Sequence, residues 1–164
     1  MGRDIRLDNF SVINSRRGGT MGNKILVVDD EFEIRDMLSR FLTEQGYEVV
    51  MAANGEKAIE LAEKEDPQAI LLDILMPGID GIETCKRLKA KEETRFIPVI
   101  MATALWERYM EAIEVGADDF VSKPFNLKEL SHRVKSILRV RYLTNELERA
   151  VAYVRQLRES LPEN

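Results

Sequence analysis

Lys24-Ile25-Leu26-Val27-Val28-Asp29-Asp30 decides how this chain is read. A short apolar run without polar alternation ends abruptly in two carboxylates. Strands with side chains apolar on both faces belong to a parallel sheet covered on both sides. The same pattern returns twice, as Ala69-Ile70-Leu71-Leu72 before Asp73 and as Val99-Ile100-Met101-Ala102 before Thr103. Tyr47-Glu48-Val49-Val50-Met51 and Phe120-Val121 are two further strand candidates. Helical patterns lie between them. Ile34, Met37, Leu38, Phe41 and Leu42 share one helix face, closed by Gly46. Ala58, Ile59, Leu61 and Ala62 follow a start signal at Asn54, and Ile82, Cys85 and Leu88 follow Asp80. Asp30 with Glu33, Asp80 with Glu83 and Asn126 with Glu129 match the capping-box spacing. The strand–helix unit therefore repeats five times across residues 23–139. This predicts an α/β fold with a doubly wound, five-stranded parallel sheet and an extended C-terminal helix.

Composition limits what such a chain does. Its 164 residues are 45% hydrophobic and 32% charged, enough for one packed domain and a small addition. The net charge of -5 argues against nucleic-acid binding, which needs a basic face. A single cysteine makes no internal disulfide, and no apolar run has bilayer length. A cytoplasmic protein without membrane contact is the expectation. Residues 1–22 carry Arg3, Arg6, Arg16 and Arg17 against Asp4 and Asp8, lack periodicity, and read as a flexible tail or leader ahead of Met21.

Residues 140–164 form a third part. Val140, Leu143, Leu147, Ala150, Val154, Leu157 and Leu161 alternate in steps of three and four, a heptad seam that Pro162 ends. The segment is charge-balanced, so the acidic excess lies in 23–139. A partner helix is expected on this seam, and the simplest partner is a second copy, giving a homodimer through a coiled coil. Arg133, Lys135, Arg139 and Arg141 precede the seam but are too sparse for a basic-zipper DNA reader.

Position alone assembles a site. In an open parallel sheet, ligands bind outside the carboxyl ends of the strands. Asp29 and Asp30 follow the first strand, Asp73 ends the third, Thr103 follows the fourth and Lys123 follows the fifth. Three neighbouring carboxylates repel unless a cation is present. Mg²⁺ suits them, with Mn²⁺ as the alternative, because such ions take carboxylate, water and phosphate oxygens. Lys123 offers a point charge and Thr103 a hydroxyl. Such a pocket fits phosphoryl transfer to a carboxylate, with Asp73 the best-placed nucleophile.

The ordered motifs sharpen this. Val27-Val28-Asp29-Asp30-Glu31, Leu71-Leu72-Asp73-Ile74-Leu75-Met76-Pro77-Gly78-Ile79-Asp80-Gly81, Ala102-Thr103-Ala104 and Gly116-Ala117-Asp118-Asp119-Phe120-Val121-Ser122-Lys123-Pro124-Phe125 follow one another at strand–helix spacing. From Lys24 to about Leu138 the chain resembles the receiver domain of two-component response regulators, of the chemotaxis-regulator type. The resemblance implies a flavodoxin-like (βα)5 fold. It implies that Asp73 is the phosphoacceptor, served by a sensor histidine kinase or phosphotransfer protein. Asp30 would bind the metal directly together with Asp73 and the Leu75 carbonyl, and Asp29 through water. Thr103 would swing toward the phosphoryl group, with Phe120 following as an aromatic switch. The Lys123-Pro124 bond would be cis. The expected output surface combines the fourth helix, fifth strand and fifth helix.

Two departures are visible. The stretch from Thr103 to Gly116 is shorter than in typical members, which alters the signalling region. Leu75 and Leu105 stand where many members carry polar residues that help place water, so slow self-hydrolysis is expected. A haloacid-dehalogenase-like phosphatase needs a second aspartate two residues after its nucleophile, and Leu75 stands there. A scaffold that dimerises without phosphorylation is the other alternative. An enzyme that turns over substrate is not expected, beyond self-phosphorylation from a phosphodonor and slow loss of the group.

Overall fold

The computed structural model describes residues 23–104 and 106–159. The expected tail (1–22), Leu105, Leu161 and Pro162 lie outside the described residues. Five strands, β1 (Lys24–Val28), β2 (Glu48–Ala52), β3 (Ala69–Asp73), β4 (Val99–Thr103) and β5 (Asp119–Ser122), form one parallel sheet in the order β2-β1-β3-β4-β5. Helices α1 (Phe32–Glu44), α2 (Gly55–Glu65), α3 (Gly81–Ala90), α4 (Tyr109–Glu114) and α5 (Leu127–Glu159) alternate with the strands.

Two-sided burial explains the unalternating strands. Leu26, Val28, Ile70, Leu72, Val99 and Met101 face one core with residues of α2, α3 and α4. Ile25, Val27, Ala69, Leu71, Ile100 and Ala102 face the other with α1 and α5. Alternate residues thus feed opposite layers, so both faces of a central strand are apolar. Cys85 lies in the first core, and burial pushes its thiol up to about 11, which makes it unreactive.

Turn chemistry sets where helices begin and end. Asn54, Asp80 and Asn126 accept hydrogen bonds from the N–H groups of Lys57, Glu83 and Glu129 at 2.8, 2.8 and 3.1 Å. In the Asp80 and Asn126 boxes the acidic partners turn elsewhere, Glu83 to Arg87 and Glu129 to Arg133. After α1, Gly46 adopts φ 91°. The Gly46 N–H reaches the Thr43 carbonyl at 2.9 Å and the Tyr47 N–H reaches that of Leu42 at 3.1 Å, a Schellman closure.

The structure corrects one expected cap. Asp30 does not cap α1. The helix begins at Phe32, its flanking residue is Glu31, and no side chain caps it. Asp29 instead accepts the Glu31 N–H at 2.9 Å, which closes the turn one residue earlier.

The short stretch after β4 consists of a single 3₁₀ turn, Trp106–Arg108, and the six-residue α4. In contrast, α5 runs 33 residues. Its first part packs on the sheet through Leu130, Val134, Ile137 and Leu138. Beyond that, Val140, Leu143, Leu147 and Val154 are 59–65% exposed. Among the described residues, no helix is long and apolar enough to cross a membrane.

Candidate functional site

The parallel sheet brings the carboxyl ends of β1, β3, β4 and β5 to one edge. Asp29 follows β1, and its N–H bonds to Ala52 O at 3.3 Å. Asp73 is the last residue of β3, in register with Ala102 of β4. Thr103 ends β4 in register with Ser122, and its carbonyl accepts the Lys123 N–H at 3.0 Å. Backbone pairing alone therefore seats Asp73, Thr103 and Lys123 next to one another. The Lys123-Pro124 peptide bond is cis.

Side chains complete the arrangement. Asp29 is 1% exposed, Asp73 4% and Thr103 1%, whereas Asp30 is exposed. One carboxylate oxygen from each of Asp29, Asp30 and Asp73 falls within 4.8 Å of the others. The Lys123 ammonium donates to Asp29 Oδ2 at 2.7 Å and lies 3.2 Å from Asp73 Oδ2. Lys123 thus binds Asp29 more closely than the expected phosphoacceptor. Asp73 Oδ1 accepts the Leu75 N–H at 3.3 Å, and the Leu75 side chain is half exposed beside it.

Electrostatics follow from burial. Desolvation pushes the Asp73 carboxyl up to about 6. The neighbouring Asp29 pushes the same way, while Lys123 and the Leu75 N–H oppose it. For Lys123, burial pulls the ammonium pKa down, but the Asp29 hydrogen bond and the Asp73 charge outweigh it and leave it raised. One ammonium among three carboxylates leaves about two negative charges unmatched. These are hard oxygen donors in a tight cluster, and they fit a Mg²⁺ ion.

Phe120 of β5 is buried, its ring centroid 4.4 Å from Tyr109, which lies 5.7 Å from that of Trp106. Asp118 and Asp119 are structural. Asp118 holds Lys89 and the Val99 N–H, and Asp119 holds Arg133. His132 is exposed on α5.

Three supporting residues were not foreseen in the sequence. A Cβ on Gly81 would lie 2.1 Å from the Asp73 carbonyl oxygen, so only glycine lets α3 begin against the strand end. Arg108 joins the turn after β4 to Asp80, the α3 cap, at 2.8 Å. Arg35 donates to the Asp29 and Asp30 carbonyls. Gly81 stood inside a quoted motif, so its signal was present. The two arginines carried none, because helical arginines are ordinarily solvated.

Comparison with known proteins agrees with this geometry. Residues 25–135 match the model of the response regulator receiver domain. The chain is 45% identical over 121 residues to the alkaline phosphatase synthesis transcriptional regulatory protein PhoP of Bacillus subtilis, covering 73% of this chain and 50% of that one. It spans about half the length of the curated relatives it matches. Among solved structures, it is similar to the chemotaxis protein CheY4 of Vibrio cholerae, at 35% identity and TM-score 0.68 over 71% of this chain and 98% of that one. It is also similar to the receiver domain of a Pseudomonas aeruginosa sensor histidine kinase, solved with magnesium in its active-site cleft. There the identity is 30% and the TM-score 0.67, over 71% of this chain and 98% of that one. Receiver identity supports self-phosphorylation and self-dephosphorylation rather than turnover of a substrate. With its (βα)5 sheet, its acidic cluster at the strand ends and a C-terminal helical extension, this chain belongs to the response regulator receiver domain family.

Proposed function

We propose that this chain is a phosphorylation-controlled switch in a two-component relay, with Asp73 as the phosphoacceptor. One observation carries the reading. Asp73 is buried at a strand end beside Asp29, Asp30 and Lys123, with its carboxyl held up near 6. Groups clustered and perturbed in this way mark functional sites.

The phosphoryl donor is a histidine kinase or phosphotransfer protein. A carboxylate oxygen of Asp73 forms a bond to phosphorus as the phosphohistidine N–P bond breaks. The released imidazole takes up a proton, and Asp73 becomes an acyl phosphate. Asp30, Asp73 and the Leu75 carbonyl would hold Mg²⁺ directly and Asp29 would hold it through water, with Mn²⁺ as a substitute. Bound Mg²⁺ supplies positive charge for the phosphoryl oxygens. Lys123 neutralises a further oxygen, and the Thr103 hydroxyl donates to the group. Movement of Thr103 and Phe120 then alters the face of α4, β5 and α5.

Residues 23–139 form the receiver and 140–164 the relay. The seam of Val140, Leu143, Leu147, Ala150, Val154, Leu157 and Leu161 pairs with a second copy in the cytoplasm. Phosphotransfer from acetyl phosphate with Mg²⁺ tests the proposal. Wild type should label stoichiometrically and Asp73→Asn not at all. Equal labelling of the two would end this reading. Light scattering with a beryllofluoride mimic then tests the relay, which fails if dimer affinity and shape do not respond.

The exposed seam also favours a second reading, a dimerising scaffold indifferent to phosphorylation. Labelling without any change in dimer affinity or shape would select it.

A further inference from the structure

The loop between β1 and α1 presents two acidic side chains, and several of its backbone groups are tied down. The Asp29 N–H bonds to Ala52 O, and Asp29 Oδ1 accepts the Glu31 N–H. The carbonyls of Asp29 and Asp30 have no main-chain partner among the described residues. Both are taken by one side chain from the first turn of α1. Arg35 Nη1 donates to Asp29 O at 2.7 Å and to Asp30 O at 3.0 Å.

This choice of acceptors is informative. An arginine beside two aspartates has carboxylates within its chemistry, and charge-assisted bonds to them are the strong ones. Arg35 takes main-chain oxygens instead. The Asp30 carboxylate makes no hydrogen bond or ion pair among the described residues and contributes an oxygen to the acidic cluster. Arg35 is half-buried as a residue, and its Cζ lies 5.8 Å from the centroid of the Phe32 ring.

We infer that Arg35 is a positioning residue for the acidic site. By pinning the Asp29 and Asp30 carbonyls, it fixes the peptide units that aim both carboxylates at the ion. The inference rests on the metal reading above and extends it to a residue outside the cluster. It also makes a prediction of sign. On charge alone, removing a cation beside an acidic cluster should tighten binding of a dication. If Arg35 positions the ligands, removal should weaken it, as loss of an outer partner of metal ligands does.

The test is calorimetric titration of the full chain with MgCl₂ at pH 7.5, comparing wild type, Arg35→Ala and Arg35→Lys. Arg35→Ala should raise the Mg²⁺ dissociation constant about tenfold. Arg35→Lys keeps the charge on a shorter side chain and should fall between the two. Urea unfolding without metal serves as the control, since a merely structural role would move stability and leave the affinity of the folded fraction unchanged. Mg²⁺ affinity in Arg35→Ala equal to or tighter than wild type would overturn the inference. Should that variant fail to fold, Arg35→Lys decides, and wild-type affinity there overturns it. Absence of Mg²⁺ binding in the wild type would overturn the metal reading itself, a different result from either.

Discussion

At the carboxyl edge of the sheet, Asp29, Asp73 and Thr103 are buried among strand ends. On α5 beyond Leu138, Val140, Leu143, Leu147 and Val154 stand in solvent. The two regions invert the usual burial rule in opposite directions, one hiding charge and the other displaying apolar surface. Each inversion has a cost. Buried carboxylates lose hydration, and exposed aliphatics forgo the gain from leaving water. The difference lies in what each region lacks. Among the described residues, Lys123 alone pairs with the buried carboxylates of the acidic edge, and the apolar side of the helix has no surface over it. The proposed cation would answer the first need, and the proposed partner helix the second.

The largest expected effect breaks the acidic side of this comparison. Lys123→Met leaves two buried carboxylates without their ammonium and should cost about 3–5 kcal/mol. Urea unfolding at pH 8 without metal measures it, and Mg²⁺ should restore part of the loss. A change under about 1 kcal/mol would show that Lys123 is not the counter-ion that holds the edge together.

Asp73→Asn should act with the opposite sign. The folded carboxyl titrates near 6 against an ordinary 3.8, so folding favours its protonated form. That contribution is fully present below about pH 4 and is lost as pH rises through about 6. Above pH 6 the ionised side chain destabilises the metal-free fold by up to about 3 kcal/mol. Asp73→Asn should therefore be the more stable protein at pH 8, with the difference closing at pH 4. Parallel unfolding curves for the two proteins across that range would contradict the assignment of the cost to Asp73.

Gly81→Ala sharpens the comparison by touching the edge through backbone alone. Its added Cβ collides with the Asp73 carbonyl and should cost about 1–3 kcal/mol while displacing Asp73. Lower Mg²⁺ affinity should accompany the lost stability, and retention of both would mean that α3 yields instead.

On the helix side the stability effect should nearly vanish. Leu147→Glu replaces an exposed residue and should shift receiver unfolding by no more than about 0.5 kcal/mol. The same change should abolish self-association in sedimentation equilibrium. Destabilisation of the monomer would reveal a contact between this segment and the receiver.

The strand–helix order was legible because burial on two faces leaves β1, β3 and β4 without alternation, a local property of each segment. The site was legible for a related reason. Chemistry-bearing residues directly follow those apolar runs, and parallel strands bring such positions to one edge. Asp30 was misread as a helix cap because capping-box spacing is also local. The backbone turned one residue sooner, on Asp29, and left Asp30 exposed. Arg35 and Arg108 were illegible because their partners are main-chain or loop groups that no periodicity marks.

The sequence by itself determined the repeating unit, the acidic edge and the heptad seam, since each is written in neighbouring residues. Tertiary structure alone decided the sheet order β2-β1-β3-β4-β5, the approach of α3 to Asp73 across Gly81, and the closer hold of Lys123 on Asp29 than on Asp73. Lys123 and Asp29 are 94 residues apart. Whether such groups meet at 2.7 Å depends on how every layer between them packs, and packing is a property of the whole chain.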